Sequence, residues 1–187
     1  MNKDIKLSDL VEGKNVLLVG NSKSLLKKDY SQLIDSYGFV IRFNLSIHHL
    51  HKYSIGDKCD AWIYAMCREH VCESTYNSAK NKPKMCVRYG KPLDIGEINI
   101  TLDVNKVDVI NSIGIGEDLH PSTGVVAIWY MLNNATPKSI SLIGFDSFKE
   151  CNFYAAHNSA HLCHSLSAEE KYLTDMHKEG KISFLDH

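Results

Sequence analysis

The sequence predicts an α/β fold organised on a mainly parallel β-sheet. Three observations carry this. Strand-like and helix-like segments alternate along the chain. Several strand candidates are short, unbroken apolar runs, as expected for strands buried on both faces of a sheet. The residues that follow those runs are Gly, Asn, Ser and Asp, the composition of turns. With 187 residues, 44% hydrophobic and 23% charged, the chain suits one domain over 1–187. A chain of this size buries roughly 70% of the surface its unfolded form exposes, so folding needs neither a disulfide nor a metal.

The elements follow in order. Asn15 to Val19 is an apolar run closed by Gly20, and Phe39 to Phe43 and Ala61 to Tyr64 are the second and third strands. A helix is expected from about Cys67 to Lys80, then a strand over Lys84 to Arg88 and a short helix over Val104 to Ile110. Ile113 to Asp118 contains Gly114 and Gly116 and reads as loop. Gly124 to Asn134 is an apolar helix, with Ser122 or Thr123 as N-cap, and it stops before Pro137. Ser139 to Ile143 is another buried strand, and Phe148 to Cys163 has the weak periodicity of a loop. Ser167 to Glu179 is a helix with a capping box of Ser167 and Glu170, ended by Gly180. Ile182 to Leu185 is the last strand. The pattern implies a Rossmann-like α/β/α arrangement.

Composition narrows the function. The formal net charge is −1, which gives no global basic field for a polynucleotide. Lys23, Lys27 and Lys28 read as a solvated face. None of the six cysteines forms a CxxC pair, which fits reduced thiols and a cytoplasmic setting. Met1 to Asp9 is polar, unlike a secretory leader. No apolar run approaches the length of about 20 residues that a spanning helix needs, so stable membrane insertion is not expected.

In open α/β sheets, ligands bind beyond the carboxyl ends of the strands. Three such ends carry suitable groups: Gly20, Asn21 and Ser22 after the first strand, Arg42 and Asn44 at the second, and Asp146 after Ile143. Glycine allows close backbone approach, and asparagine supplies both donors and an acceptor for ribose or phosphate. Ser122, Thr123 and Gly124 open the apolar helix, whose N-terminal N–H groups suit an anion. Taken singly, each is equally a plain turn, an ion-pair partner or a helix cap.

Together these segments resemble the sialyltransferases, both the animal-type family and the bacterial lipooligosaccharide family. Asn15 to Leu25, Asp29 to Ser31 and Val40 to Asn44 look like the large sialyl motif. His120 to Gly124 and Ile140 to Asp146 look like the small one, and His164 to Glu169 has the HxxxxE spacing of the very small one. The resemblance implies a GT-A-variant-like fold and transfer of a sugar, sialic acid or one like it, from a CMP-linked donor to an acceptor hydroxyl. By the same resemblance, His164 matches the general base and Glu169 the acid of its motif, often structural. Tyr154 corresponds loosely to a tyrosine that helps the phosphate leave. Asn21 and Asn44 match nucleotide contacts, and Thr123 and Gly124 match cytidine contacts with Ser122 close by.

The implied chemistry is an inverting displacement needing no metal and no cofactor beyond the nucleotide-sugar. No DxD sequence occurs in the chain. A homo-oligomer is compatible with this reading. Departures from the family pattern fall on the sugar side. Ser147 to Cys163 is short and would make a shortened lid; Ala65 stands where the bacterial family has asparagine, and His120 where it has arginine. Other readings stay open: a zinc cluster of His157, His161, Cys163 and His164, a different nucleotide-sugar with an acceptor such as a modified nucleic-acid base, and a non-catalytic nucleotide-binding module.

Overall fold

Seven strands form one sheet in the order β5-β4-β3-β2-β1-β6-β7, and every neighbouring pair is parallel. The computed structural model describes residues 5–48, 50, 55–65, 69–89, 94–116, 119–147, 149, 152–153 and 164–185. The strands are β1 (Asn15–Val19), β2 (Phe39–Phe43), β3 (Ala61–Tyr64), β4 (Met85–Tyr89), β5 (Ile98–Leu102), β6 (Ser139–Ile143) and β7 (Ser183–Phe184). The helices are α1 (Leu7–Val11), α2 (Ser31–Asp35), α3 (Glu69–Ser78), α4 (Lys106–Ile113), α5 (Thr123–Asn134) and α6 (Leu166–Lys178). Two 3₁₀ turns, Lys23–Leu26 and Asn44–His48, follow β1 and β2.

Alternation along β1 explains why the sheet is covered on both sides. Val16 and Leu18 pack with Val126, Met131, Val109 and Leu173 from the helices on one face. Leu17 and Val19 pack on the other face with Leu25, Tyr30, Ile34 and Phe153. Farther along that second face, Trp62, Tyr64 and Cys86 pack with Cys72 and Tyr76 of α3. Unbroken apolar strands are what a doubly covered parallel sheet requires, and the Rossmann-like expectation matches this architecture.

The chain builds from β1 outward to β5 on one side, then returns to place β6 on β1's other side. Strand order therefore reverses at β1, between β2 and β6. Crevices outside the carboxyl ends at such a switch point are where ligands bind in this class of sheet.

Local differences from the sequence expectations have physical causes. β5 did not stand out because Asn99 and Thr101 interrupt it, as befits an edge strand. α4 starts later than expected because Asn105 caps it, its side chain accepting from the Val107 N–H at 3.0 Å, and Gly114 ends it in the left-handed region. α6 starts at Leu166 with Ser165 as its N-cap residue and no side-chain cap bond. The expected Ser167–Glu170 capping box is thus displaced, and Glu170 instead pairs with Lys149 at 2.6 Å.

Candidate active site

The carboxyl ends of β1, β2 and β6 and the N-terminus of α5 converge, and their polar groups fall into two sets. The first set holds the framework. Ser22 donates from Oγ to Asp146 Oδ2 at 2.7 Å and accepts from the Ser24 N–H at 3.0 Å. This ties the turn after β1 to the turn after β6, and Ser22 is buried. Ser122, also buried, donates from N and Oγ to the two carboxylate oxygens of Glu169, both at 2.7 Å. Its Oγ also accepts from the Val125 N–H at 3.4 Å, as an N-cap does. Glu169 is only 2% exposed. Burial raises its carboxyl above the ordinary range, opposed by the two Ser122 donors and by nearby His164.

Five of the expected site residues are held by protein partners. Ser22 and Ser122 spend their hydroxyls on Asp146 and Glu169, so we assign them, with those two carboxylates, to the framework rather than to ligand contact. Glu169 does so by fixing the start of α5 from α6. Arg42 is fully buried. Its Nε donates to the Lys58 carbonyl at 2.9 Å, and Nη2 donates to those of Ile55 and Gly56 at 2.7 and 3.0 Å. These carbonyls lead into the amino end of β3, away from the cleft, so Arg42 braces the sheet instead of meeting phosphate.

Gly20 and Gly124 serve close packing. A Cβ on Gly20 would lie 2.2 Å from the Gly144 carbonyl oxygen and 2.9 Å from the Phe145 ring; on Gly124 it would lie 2.7 Å from the same ring. Phe145 is wedged between the two glycines and meets Phe43 edge-on at 6.0 Å. The sequence reading passed over Phe145, although its place between Gly144 and Asp146 marks a ring at a strand tip.

The second set makes longer bonds. Asn21 Nδ2 reaches the Phe43 carbonyl at 3.5 Å. Asn44 Nδ2 reaches Thr123 Oγ1 at 3.5 Å, and Asn44 Oδ1 accepts from the Ala65 N–H at 3.3 Å. Asn44 has φ +49°, in the left-handed region that asparagine tolerates better than most residues. Asn21, Asn44 and Thr123 are partly exposed and stand at neighbouring strand and helix tips.

His164 precedes α6, and its Nδ1 lies 2.6 Å from the carbonyl oxygen of His120. A carbonyl only accepts, so Nδ1 carries a proton; in the neutral ring the lone pair is then on Nε2. The base candidate and the loop entering α5 are thereby joined twice, through His120 and through Ser122–Glu169. Tyr154 lies outside the described residues, as do His157, His161 and Cys163 of the zinc reading. Among the described residues, no group of three His, Cys, Asp or Glu is placed to hold a metal ion. Among the described residues, Cys59, Cys72 and Cys86 form no disulfide, and burial pushes the Cys59 and Cys86 thiols up to about 12, which makes them poor nucleophiles. Among the described residues, no helix is long and apolar enough to cross a membrane.

The family model of glycosyltransferase family 29 (sialyltransferase) matches residues 13–98, from the lead into β1 to the start of β5. The sequence matches no curated protein. Two solved structures share the fold. One is a mammalian sialyltransferase in complex with Gal-beta-1-3GalNAc-ortho-nitrophenol, at a TM-score of 0.65 and 17% identity, covering 96% of this chain and 72% of that one. The other is a mammalian sialyltransferase at a TM-score of 0.65 and 16% identity, covering 96% of this chain and 71% of that one. The chain thus carries the family's sequence pattern over residues 13–98 and shares the fold of these two sialyltransferases over nearly its whole length.

Proposed function

We propose that the chain transfers a sugar from a CMP-linked donor to an acceptor hydroxyl by a single inverting displacement, with His164 as the base and no metal. The observation that carries this is the bond from His164 Nδ1 to the His120 carbonyl, which sets the tautomer that leaves Nε2 as proton acceptor. The acceptor hydroxyl gives its proton to Nε2 as its oxygen attacks the anomeric carbon. The bond from that carbon to the phosphate oxygen breaks on the opposite face, and CMP leaves. A neutral imidazole is suited to this near neutral pH, and a positioned base contributes about 10²–10⁴-fold.

The leaving phosphate would meet the first N–H groups of α5, with Thr123 Oγ1 and the Asn21 and Asn44 amides beside it. Free N–H groups and hydroxyls at a helix N-terminus stabilise such an anion. A monophosphate carries less charge than a diphosphate, which supports chemistry without a metal or further cofactor. A glycan hydroxyl is the acceptor class favoured by the similar mammalian structure, which holds a Gal-beta-1-3GalNAc compound.

The test is incubation with a panel of nucleotide-sugars, with and without magnesium, followed by mass spectrometry. The proposal expects hydrolysis or transfer from CMP-linked sugars, unchanged without magnesium. His164→Ala should lower the rate about 10²–10⁴-fold while leaving CMP affinity intact. Transfer by His164→Ala at the parent rate would remove His164 from the mechanism.

A further inference from the structure

The segment that enters α5 presents two groups to the start of α6. The His120 carbonyl oxygen lies 2.6 Å from His164 Nδ1. The N–H and Oγ of Ser122 donate to the two carboxylate oxygens of Glu169, both at 2.7 Å. Pro121 stands between them and is buried, as are Ser122 and Glu169. A proline at this position has two consequences. It restricts the residue before it to extended backbone, which narrows the directions open to the His120 carbonyl. It also brings no N–H into a buried stretch, where an unpaired one would be costly. Ser122 continues in extended backbone, with φ −67° and ψ 152°, before α5 begins at Thr123.

We infer that Pro121 is a positioning residue for the base: it aims the His120 carbonyl at His164 Nδ1 and so fixes the tautomer of the imidazole. This rests on the transferase reading above and adds to it a residue that acts through its neighbour's backbone rather than on the substrate. Which nitrogen of a neutral imidazole carries the proton is set by the bond that the other nitrogen makes. Here that bond runs to a backbone oxygen, so the direction of the chain at residue 120 decides it, and the His120 side chain, which is exposed, does not. The same segment is held a second time through Ser122 and Glu169. Glu169 lies in the first turn of α6, and His164 just before that helix. With both ends of the three-residue segment attached there, the carbonyl keeps its place relative to the ring.

The experiment compares the parent with Pro121→Ala, and with Pro137→Ala as a control beyond the other end of α5. Two things are read. The first is the tautomer of His164 by imidazole-nitrogen NMR at about pH 9, where an ordinary imidazole is neutral, with its signal identified by loss in His164→Ala. The second is kcat and KM for CMP-sialic acid hydrolysis without acceptor, in which water takes the place of the hydroxyl. The inference expects the Nδ1–H tautomer in the parent, a mixture of both tautomers in Pro121→Ala, and a kcat about tenfold lower there at unchanged KM. A merely structural proline would lower the melting temperature and leave the tautomer and kcat of the folded protein as they are. A parent-like tautomer and kcat in Pro121→Ala, or an equal fall in Pro137→Ala, overturn the inference and leave the transferase reading standing. A parent that does not hydrolyse the donor overturns the transferase reading and the inference with it. Should Pro121→Ala fail to fold, Pro121→Val carries the same readouts, and an Nε2–H tautomer in the parent overturns the inference without any variant.

Discussion

The tips of β1 and β6 and the tips of β2 and α5 lie side by side, yet their polar groups are in opposite states. At the first pair, Ser22 and Asp146 are joined at 2.7 Å and Phe145 fills the space that two glycines leave. At the second, the Asn44 amide reaches its partners at 3.3 to 3.5 Å, and Asn21, from the β1 tip, reaches across to the Phe43 carbonyl at 3.5 Å. Short bonds between buried groups are expensive to break, whereas bonds at the limit of hydrogen-bond distance give way to a ligand at little cost. The first region is scaffold, and the second is the surface we propose for the nucleotide. Residue type alone does not distinguish them, since both are built from Gly, Ser, Asn and Asp beside strand ends.

The sharpest way to break this comparison is Arg42→Met. It strands three carbonyl acceptors, two of them buried, and the loss should be about 3 kcal/mol in a urea unfolding curve. Nucleotide affinity under native conditions should hold. An Arg42→Met protein of parent stability but weakened CMP binding would move Arg42 back to the ligand set.

A smaller loss is expected at Gly124. The added Cβ meets a side chain rather than backbone, so Phe145 can shift, and Gly124→Ala should cost about 1–2 kcal/mol. The double variant with Phe145→Leu should recover part of that loss in thermal melts. No recovery would mean that Gly124 is required for something other than room for the ring. Gly20→Ala, which meets the Gly144 backbone, should not be rescued in this way.

The smallest effect expected is a pH dependence at Glu169. Its folded-state carboxyl is raised, chiefly by burial, above the ordinary value of 4.5. The folded protein then holds this proton more tightly than the unfolded chain. The group's contribution is full below the ordinary value and is lost as pH rises through the raised one. Unfolding midpoints of the parent and Glu169→Gln should therefore shift in the parent's favour as pH falls from about 8 to about 4. A difference that stays flat, or moves the other way, would show that the Ser122 donors and His164 outweigh burial.

Much of the fold was legible in the sequence because burial on both faces leaves a plain signal. Asn15–Val19, Phe39–Phe43, Ala61–Tyr64 and Ser139–Ile143 were read with the bounds the structure has. β5 was not, since an edge strand tolerates Asn99 and Thr101. The family pattern pointed to loops that converge at the carboxyl ends of β1, β2 and β6, but side-chain direction was beyond it. Arg42 and Asn44 are two residues apart, yet one turns beneath the sheet's other end and the other lines the crevice. The α6 cap was misread for a tertiary reason: Glu169 is drawn to Ser122 and Glu170 to Lys149, two contacts that no local rule contains.

The most direct measurement is a calorimetric titration of CMP into the parent, Asn44→Gly and Arg42→Met. Glycine keeps the left-handed backbone of residue 44 and removes only the amide. The parent should bind, Arg42→Met should bind equally, and Asn44→Gly should bind about tenfold more weakly. No heat with the parent at millimolar CMP, or full affinity in Asn44→Gly, would contradict the placement of the nucleotide in this crevice.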